Sequence, residues 1–549
     1  MNIQEVARRE KLHMDHVGDV ILTKSIIPES APLVSFKAGY TKNVYQAIRG
    51  LNRLTKEDQI AYDGSGVQKL RVWFSGPTTR AVRRTFADAG FLQSAKETLA
   101  WNVCWGSPKG LEFYQTLRPG QLCNQIPGSN SMGRKDTLAS FMKAGAARQP
   151  HLYNFAPVQF MIPNELSALR ADMEKYANTE MMYIYKPAMG ARGNGIKILS
   201  PNDMLPCTKT AAVVQHYIMN PLLLQGFKFD LRIYVVVTSV YPLIFYIYEE
   251  GLGRFATEKF IKPNAENKDH AQMHLTNFSV NCKADAFVEK DDDQIVELGH
   301  NLPSKWKATE LLDFLDQNRE VFSQETDSIV KQISAAPGAL KQELWKRIQD
   351  VVKLTMTAVE SRMYSFSDKA GSLQSYPRRN FGLYGFDIML SDKGKPLLIE
   401  VNSSPATGTS TALDVAVKFE LLSDVMHLAG VNCNFNDGKI VYPERSTDSE
   451  IELDKNVKQF VLGENEEMYS MTTEQLRKGD KLVPINYKNL SRFEKRALLQ
   501  IIEDSNRCGR FQRLSPSGEE DFCDVFEEKR YLNELANAAV KFGLKEGDL

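Results

Sequence analysis

Hydrophobic positions along this chain recur with two different spacings. From Leu70 the run LRVWFSG alternates apolar and polar residues, as a half-buried strand does. TTRAVRRTFADAG then carries helical spacing. QLCNQIPGSNSMGRKDTLASFMKAG reads as a loop running into a helix, with Asp136 expected as its cap. Strand patterns crowd residues 156–250: MMYIYKP and GIKILS flank the glycine-rich AMGARGN, and AAVVQHYI and FKFDLRIYVVVTS follow. The longest apolar run, YVVVTSVYPLIFYIY, is short for a membrane helix and is broken by Thr-Ser and a proline. It is expected to be two strands joined at SVYP. Helical spacing returns over 306–366, and the polar segment 367–380 predicts a mobile loop. YGFDIMLSDKGKPLLIEVNSSP reads as a hairpin, with the helix-like LDVAVKFELLSDVMHLAG beyond it. Residues 434–456 are polar and linker-like, and 485–515 are expected to be helical.

These blocks predict an α/β (α+β) fold. The expected division is a lead-in (1–67), an N-terminal α/β domain (68–150), a central subdomain (151–218), a larger C-terminal subdomain (219–430), and a linker with a helical extension (431–549). A length of 549 residues exceeds one ordinary core and suits several subdomains. Net charge is zero, so bulk electrostatics favours no class of partner, and no nucleic acid or membrane is expected. Locally, 481–510 holds seven Lys/Arg against three Asp/Glu. Seven scattered cysteines with no CxxC pair argue against a zinc site and for free thiols in a reducing compartment. MNIQEVARREKLHMDH lacks the apolar core of a signal peptide, so a cytoplasmic location is expected.

The hairpin carries the sharpest chemistry. With a two-residue turn at Lys393-Gly394, cross-strand partners have numbers summing to 787, and Asp387 faces Glu400. Asn402 lies two residues on, on the same face. Carboxylates facing each other repel unless a cation lies between them, and a hard divalent ion such as Mg²⁺ suits this donor set. A longer turn would shift the register and spoil the pairing. Glycines 190, 193 and 195 between two strands suit a cover over phosphates, although an ordinary glycine-rich turn explains them equally well. Lys186 ends the preceding strand. In KFDLR, Asp230 and Arg232 share one strand face, and Phe229, Leu231 and Ile233 take the other. His216 and His274 fit structural roles better than catalytic ones.

Taken in order, YIYKPAMGARGNGI, VVQHYIMNPLLLQGFKFDLRIYVVVTS, GRFAT, MHLTNFSVN, YGFDIML and LIEVNSSP resemble the tubulin tyrosine ligase-like enzymes. These are ATP-grasp ligases that add amino acids to proteins. WNVCWGSPKG and NQIPGSNSMGRKD are similar to the family's N-terminal motifs, so the likeness runs from about Leu70 to Gly430. ARGNGI and the helix after the hairpin resemble the polyglutamylase branch, as does FEKRALLQIIEDSNRCGRFQRLSP.

The resemblance implies roles residue by residue. Lys186, Arg192, Gly193, Lys228 and Asp230 would contact ATP, Gln215, His216, Tyr217 and Ile218 would meet adenine, and Thr276 and Asn277 would lie on the nucleotide side. Asp387, Glu400 and Asn402 would bind Mg²⁺. Arg232, with Lys186 and Glu400, would serve the reacting phosphate. Arg254 and Lys418 would receive the carboxylates of free L-glutamate, with Phe278 and Ser279 bordering its pocket. HLTNF stands where HLTNY is usual, and SSPAT departs from the usual loop after the asparagine. The implied reaction adds glutamate to glutamate side chains of acidic tubulin C-terminal tails through an acyl phosphate, on the microtubule cytoskeleton, cilium or basal body. A tubulin glycine ligase, a small-molecule ligase and a non-catalytic microtubule-binding relative are the alternatives. Arg134, Lys135, Lys495, Arg496, Arg507 and Arg510 are expected to form a basic groove for the acidic tail.

Overall fold

The structure is a computed structural model that describes residues 20, 22–28, 30–36, 70–94, 101–118, 120–190, 193–282, 303–373, 378–432, 435–436, 439–440 and 469–549. Most of the expected lead-in and linker, and Arg192, lie outside these.

The first layer is a small parallel sheet. Strand β1 (Arg71–Phe74) leads through helix α1 (Arg80–Asp88) to β2 (Leu92–Gln93), and β3 (Val103–Trp105) and β4 (Leu122–Cys123) follow. The strand order is β2-β1-β3-β4, all parallel. Helix α2 (Lys135–Arg148) comes next, entered at Arg134 rather than Asp136. Asp136 sits in its first turn, where a carboxylate favours the positive end of the helix dipole, and it accepts the Thr137 N–H at 2.8 Å.

A second sheet is antiparallel. It contains β5 (Gln159–Ile162), β6 (Tyr183–Pro187), β7 (Lys197–Leu199) and β8 (Ala212–His216), ordered β5-β8-β6-β7. Helix α3 (Leu166–Lys175) buries Leu169 and Met173 against Phe160, Ile162, Tyr183 and Val214 of this sheet.

The central sheet is larger. Strands β9 (Phe227–Val240) and β10 (Leu243–Lys259) are the two parts of the long apolar run, turned at Tyr241-Pro242. After β11 (Lys305–Lys307) come helices α4 (Ala308–Gln317) and α5 (Ala339–Lys369), so the expected helical stretch is interrupted and outlasts its predicted end by three residues. The hairpin β12 (Gly382–Leu390) and β13 (Pro396–Asn402), helix α6 (Ala412–Ala429), helix α7 (Arg492–Asn506), strand β14 (Phe511–Ser515) and helix α8 (Tyr531–Lys541) complete it. The order is β11-β10-β9-β12-β13, all antiparallel, with β14 added to β10.

Both faces of this sheet are covered, which explains its nearly unbroken apolar strands. Tyr234, Val236, Tyr246 and Tyr248 pack with α1, α6, α7 and α8 on one face. Leu231, Ile233, Val235 and Ile247 pack with α4 and α5 on the other. The expected continuous helical segment at 485–515 is shorter. Ser491 and Glu494 form a reciprocal capping box that starts α7, and the chain turns after Asn506 into β14.

Candidate active site

The hairpin places Asp387 opposite Glu400, but not by the route its sequence suggests. The loop has three residues, Asp392, Lys393 and Gly394, closed by the Ser391 N–H on the Lys395 carbonyl at 2.9 Å. Gly394 adopts φ +79°. Near the turn, Leu390 therefore faces Pro396 and Ile388 faces Leu398, pairs whose numbers sum to 786. A bulge at Ile399 adds one residue to β13, and beyond it Asp387 faces Glu400 and Gly385 faces Asn402. The longer turn and the bulge cancel.

Asp387 is buried and is shared by two arginines. Arg232, directly paired with it on β9, binds through both Nε and Nη2. Arg254 Nη2 lies 2.8 Å from Asp387 Oδ2. Arg254 also grips Asp230, its cross-strand partner, at 2.7 Å and 2.5 Å. The Thr276 hydroxyl donates to Asp230 at 2.7 Å. Burial opposes the charge on Asp387, yet the two guanidiniums hold its carboxyl well below the usual range. The fork of Arg254, expected to hold an amino-acid carboxylate, is thus engaged with two carboxylates of the protein.

Glu400 is more open. Lys135 Nζ lies 3.3 Å from its Oε2, and the Asn402 amide is 3.4 Å from its Oε1. Lys135 also donates to the Gly190 carbonyl at 2.7 Å, tying α2 to the glycine-rich loop. Among the described residues no group of three or more His, Cys, Asp or Glu side chains is placed to hold a metal; the strand register brings Asp387, Glu400 and Asn402 side by side.

Lys186 and Lys228 are both buried. Burial pushes the Lys186 ammonium down to about 8, partly offset by Glu400. Burial and the neighbouring Lys186 push Lys228 down to about 7. Lys228 Nζ donates to the Tyr217 hydroxyl at 2.8 Å and the His274 carbonyl at 3.0 Å. His274 joins Tyr217 at 3.1 Å and the Asn267 carbonyl at 3.0 Å, and burial with the Lys228 charge lowers it to about 4. His216 is held by Asp172 at 2.7 Å among Phe160, Tyr176 and Tyr183. Both histidines have structural partners.

These groups surround one cleft of about 620 Å³, partly open to solvent. Ile184, Ile196, Met389 and Ile399 supply apolar walls, Gln215 to Ile218 one edge, and Lys186, Lys228, Asp230, Asp387 and Glu400 the charged end. Its mixed apolar and charged lining suits a small organic ligand. Gly193, at φ +79°, brings the glycine-rich loop down onto Val280, Asn277 and Leu275. A Cβ at Gly193 would stand 2.9 Å from Val280 Cγ2, so glycine is what lets the loop approach.

A second charged cluster contains Lys418. Its Nζ lies 2.8 Å from Asp414 Oδ1 and donates to the Gly408 carbonyl at 2.7 Å. Lys305 Nζ donates to Asp414 Oδ2 at 2.8 Å and sits 3.7 Å above the Phe278 ring. The two lysines hold Asp414 down to about 2, against its burial. Ser279 is on the same short turn as Phe278. Sequence reasoning missed Lys305, Asp414 and the site contact of Lys135. The 414/418 spacing on a helix is a readable signal for one pair, whereas nothing in sequence links Lys305 to either.

The expected basic groove does not form. Arg507 is buried, donating to the His427 and Val34 carbonyls and to Thr23 Oγ1. Arg510 is bound to Glu420 at 2.7 Å, Arg496 is buried, and Arg134 is paired with Asp136. Of the cations on helix α7, Arg496 is buried, Lys495 half-buried and Arg492 exposed.

A profile of the tubulin-tyrosine ligase family matches residues 115–339 and 316–438. The chain is 30% identical to the human tubulin monoglutamylase TTLL4 over 483 residues, covering 85% of this chain and 37% of that protein. It is 28% identical to the human tubulin polyglutamylase TTLL5 over 496 residues, 87% of this chain and 36% of the relative. The Caenorhabditis briggsae tubulin polyglutamylase ttll-4 is 28% identical over 492 residues, 88% of this chain and 74% of the relative. The chain thus spans just over a third of the length of these human relatives. The family profile reaches across more than half of the chain, and this protein belongs to the tubulin-tyrosine ligase family.

Proposed function

We propose that this protein is an ATP- and Mg²⁺-dependent ligase that joins free glutamate to glutamate side chains of acidic tubulin tails. The observation that carries the reading is the convergence, at one end of a single cleft, of Lys186, Lys228, Asp230, Asp387 and Glu400 beneath a glycine-rich loop. The names of the relatives, tubulin monoglutamylase and tubulin polyglutamylase, support the choice of acceptor and amino acid.

ATP enters as substrate. Gln215 to Ile218 and the apolar walls would take the base. Lys186 and Lys228, with the backbone around Gly193, would face the phosphates. Phosphates return to both lysines the counter-charge that burial denies them. Asp387, Glu400 and Asn402 fit a magnesium ion, because two carboxylates in register and an adjacent amide supply hard oxygen donors beside the lysines. Bound there, Mg²⁺ would neutralise charge on the transferring phosphoryl group.

The acceptor carboxylate takes the γ-phosphoryl group and releases ADP. The amine of glutamate then attacks the acyl phosphate, losing a proton as phosphate departs. Arg232 is fixed by Asp387 and stabilises the phosphoryl group with preorganised charge. Arg254 is proposed to position Asp230 and Asp387, a narrower task than holding the amino acid. The Lys305–Asp414–Lys418 cluster, with two cations on one carboxylate, would receive the carboxylates of glutamate beside Phe278 and Ser279.

The deciding experiment incubates the full chain with tubulin, ATP, Mg²⁺ and equal labelled glutamate and glycine, followed by mass spectrometry of the tails. Glutamate on tail glutamates is expected. Glycine instead, or modification of free amino acids without tubulin, would overturn the reading.

A further inference from the structure

A second cavity lies at the opposite end of β9 from the cleft. It is walled by Thr238–Val240, the Tyr241-Pro242 turn, the end of α5 and the inner face of α7. Asp230 marks the cleft and Thr238 the cavity, eight residues along one strand, or roughly 25–30 Å at the usual rise. The cavity spans about 810 Å³ including the open solvent at its mouth, more than the cleft on the same measure.

Its lining has a definite chemistry. Arg378, Arg379 and Arg496 contribute to the wall, and among the described residues no carboxylate does. Arg378 is neutralised from behind by Asp504. Arg379 has no such counter-ion among the described residues: its backbone carbonyl accepts the Cys123 N–H, and burial alone lowers its guanidinium. Three more lining groups are unsatisfied. Among the described residues the hydroxyls of Ser367 and Ser372 and Oδ1 of Asn380 have no hydrogen-bond partner and are covered, and Ser367 is only 2% exposed. Buried polar groups ordinarily find partners, so three orphans around one cavity mark a place where a partner is missing. The Asn380 amide is otherwise held, Nδ2 donating to the Gln125 carbonyl at 3.0 Å. The rest of the wall, including Val240, Pro242, Ile244, Leu373 and Phe493, is apolar.

From a cation without a counter-ion, hydroxyls able to donate, and an apolar remainder, we infer that this cavity binds a small amphipathic organic anion: a carboxylate head on an apolar body. The head meets Arg379, with the covered hydroxyls of Ser367 and Ser372 turning toward it, and the body lies against Val240, Leu373 and Phe493. A carboxylate accepts several hydrogen bonds at once and matches a guanidinium in geometry. The site is independent of the ligase reading, since none of its lining residues borders the cleft.

The test uses octanoate as probe and calorimetry on the full chain, with octylamine as the oppositely charged control of the same length. Octanoate is expected to bind and octylamine not. Arg379→Gln removes the cation without breaking an ion pair and is expected to weaken octanoate at least tenfold. Ala497→Trp, which fills the cavity from α7, is expected to abolish binding, and both variants should bind ATP as before. If octanoate fails to bind the unaltered protein, if octylamine binds equally, or if Arg379→Gln leaves the affinity unchanged, the inference is wrong.

Discussion

Arg254 closes both arms of its guanidinium on Asp230, at 2.7 Å and 2.5 Å, and extends Nη2 to Asp387 as well. Three neighbouring strands are thereby joined by charge beneath the cleft. Truncating one partner of a buried ion pair strands the other charge. Arg254→Met is expected to cost about 3–5 kcal/mol in urea unfolding. A change below about 1 kcal/mol would show that the cluster does not hold the sheet.

Glu400 behaves differently because its side chain is 20% exposed, against 2% for Asp387, and among the described residues no arginine grips it. Glu400→Gln is expected to leave unfolding within about 1 kcal/mol of the parent. Glutamate incorporation into tubulin should fall about a hundredfold or more, as for loss of one preorganised electrostatic contact. Near-normal turnover would remove Glu400 from the metal set.

Lys228 gives a pH signature. Its folded value of about 7 lies below the ordinary 10.5. Between these the unfolded chain binds more protons, so this residue makes the nucleotide-free protein more stable as pH rises. ATP favours the charged form and should show the opposite trend. From about pH 7 to about pH 9 its affinity should fall, by up to about tenfold per unit, with proton uptake on binding. Titration calorimetry in two buffers of different ionisation heat measures the uptake, and none at pH 8.5 would contradict the assignment.

Gly394→Ala tests the hairpin. Its positive φ and the approach of Ile329, which a Cβ would strike, both oppose a side chain. A loss of about 1–3 kcal/mol is expected from the strain. Nucleotide binding should weaken too, because the turn and the bulge set the register of Asp387 together. Wild-type ATP affinity at full destabilisation would mean that the bulge fixes the register alone.

Arg507→Ala should act on folding and leave docking intact. It removes donors to two carbonyls and a hydroxyl in the interior, worth about 2–4 kcal/mol. Binding to tubulin per folded molecule should be unchanged, as co-sedimentation with stabilised microtubules below the variant's unfolding temperature would show.

Much of this architecture was readable from residue order. Alternation exposed Asp230 and Arg232 on one face and Leu231 and Ile233 on the other, and the structure keeps that division. The pairing of Asp387 with Glu400 was foreseen with the wrong turn, since a three-residue loop and a bulge are two compensating features that alternation does not separate. The inward turn of Arg507 and Arg510 was hidden because composition registers charge but not the carbonyls and carboxylates awaiting it. Lys305 needed β11 to lie beside β10, a contact between distant segments that no local pattern encodes.

Strand β14 carries a practical warning. It occupies the outer border of β10 along Phe245–Tyr248, with Phe511 entering one hydrophobic core and Leu514 the other. A shortened version ending near residue 430, designed to isolate the part around the cleft, would strip that border and leave an unsatisfied row of backbone donors and acceptors flanked by bare apolar patches. Such an edge recruits copies of itself, so the trimmed protein should precipitate where the intact chain stays monodisperse.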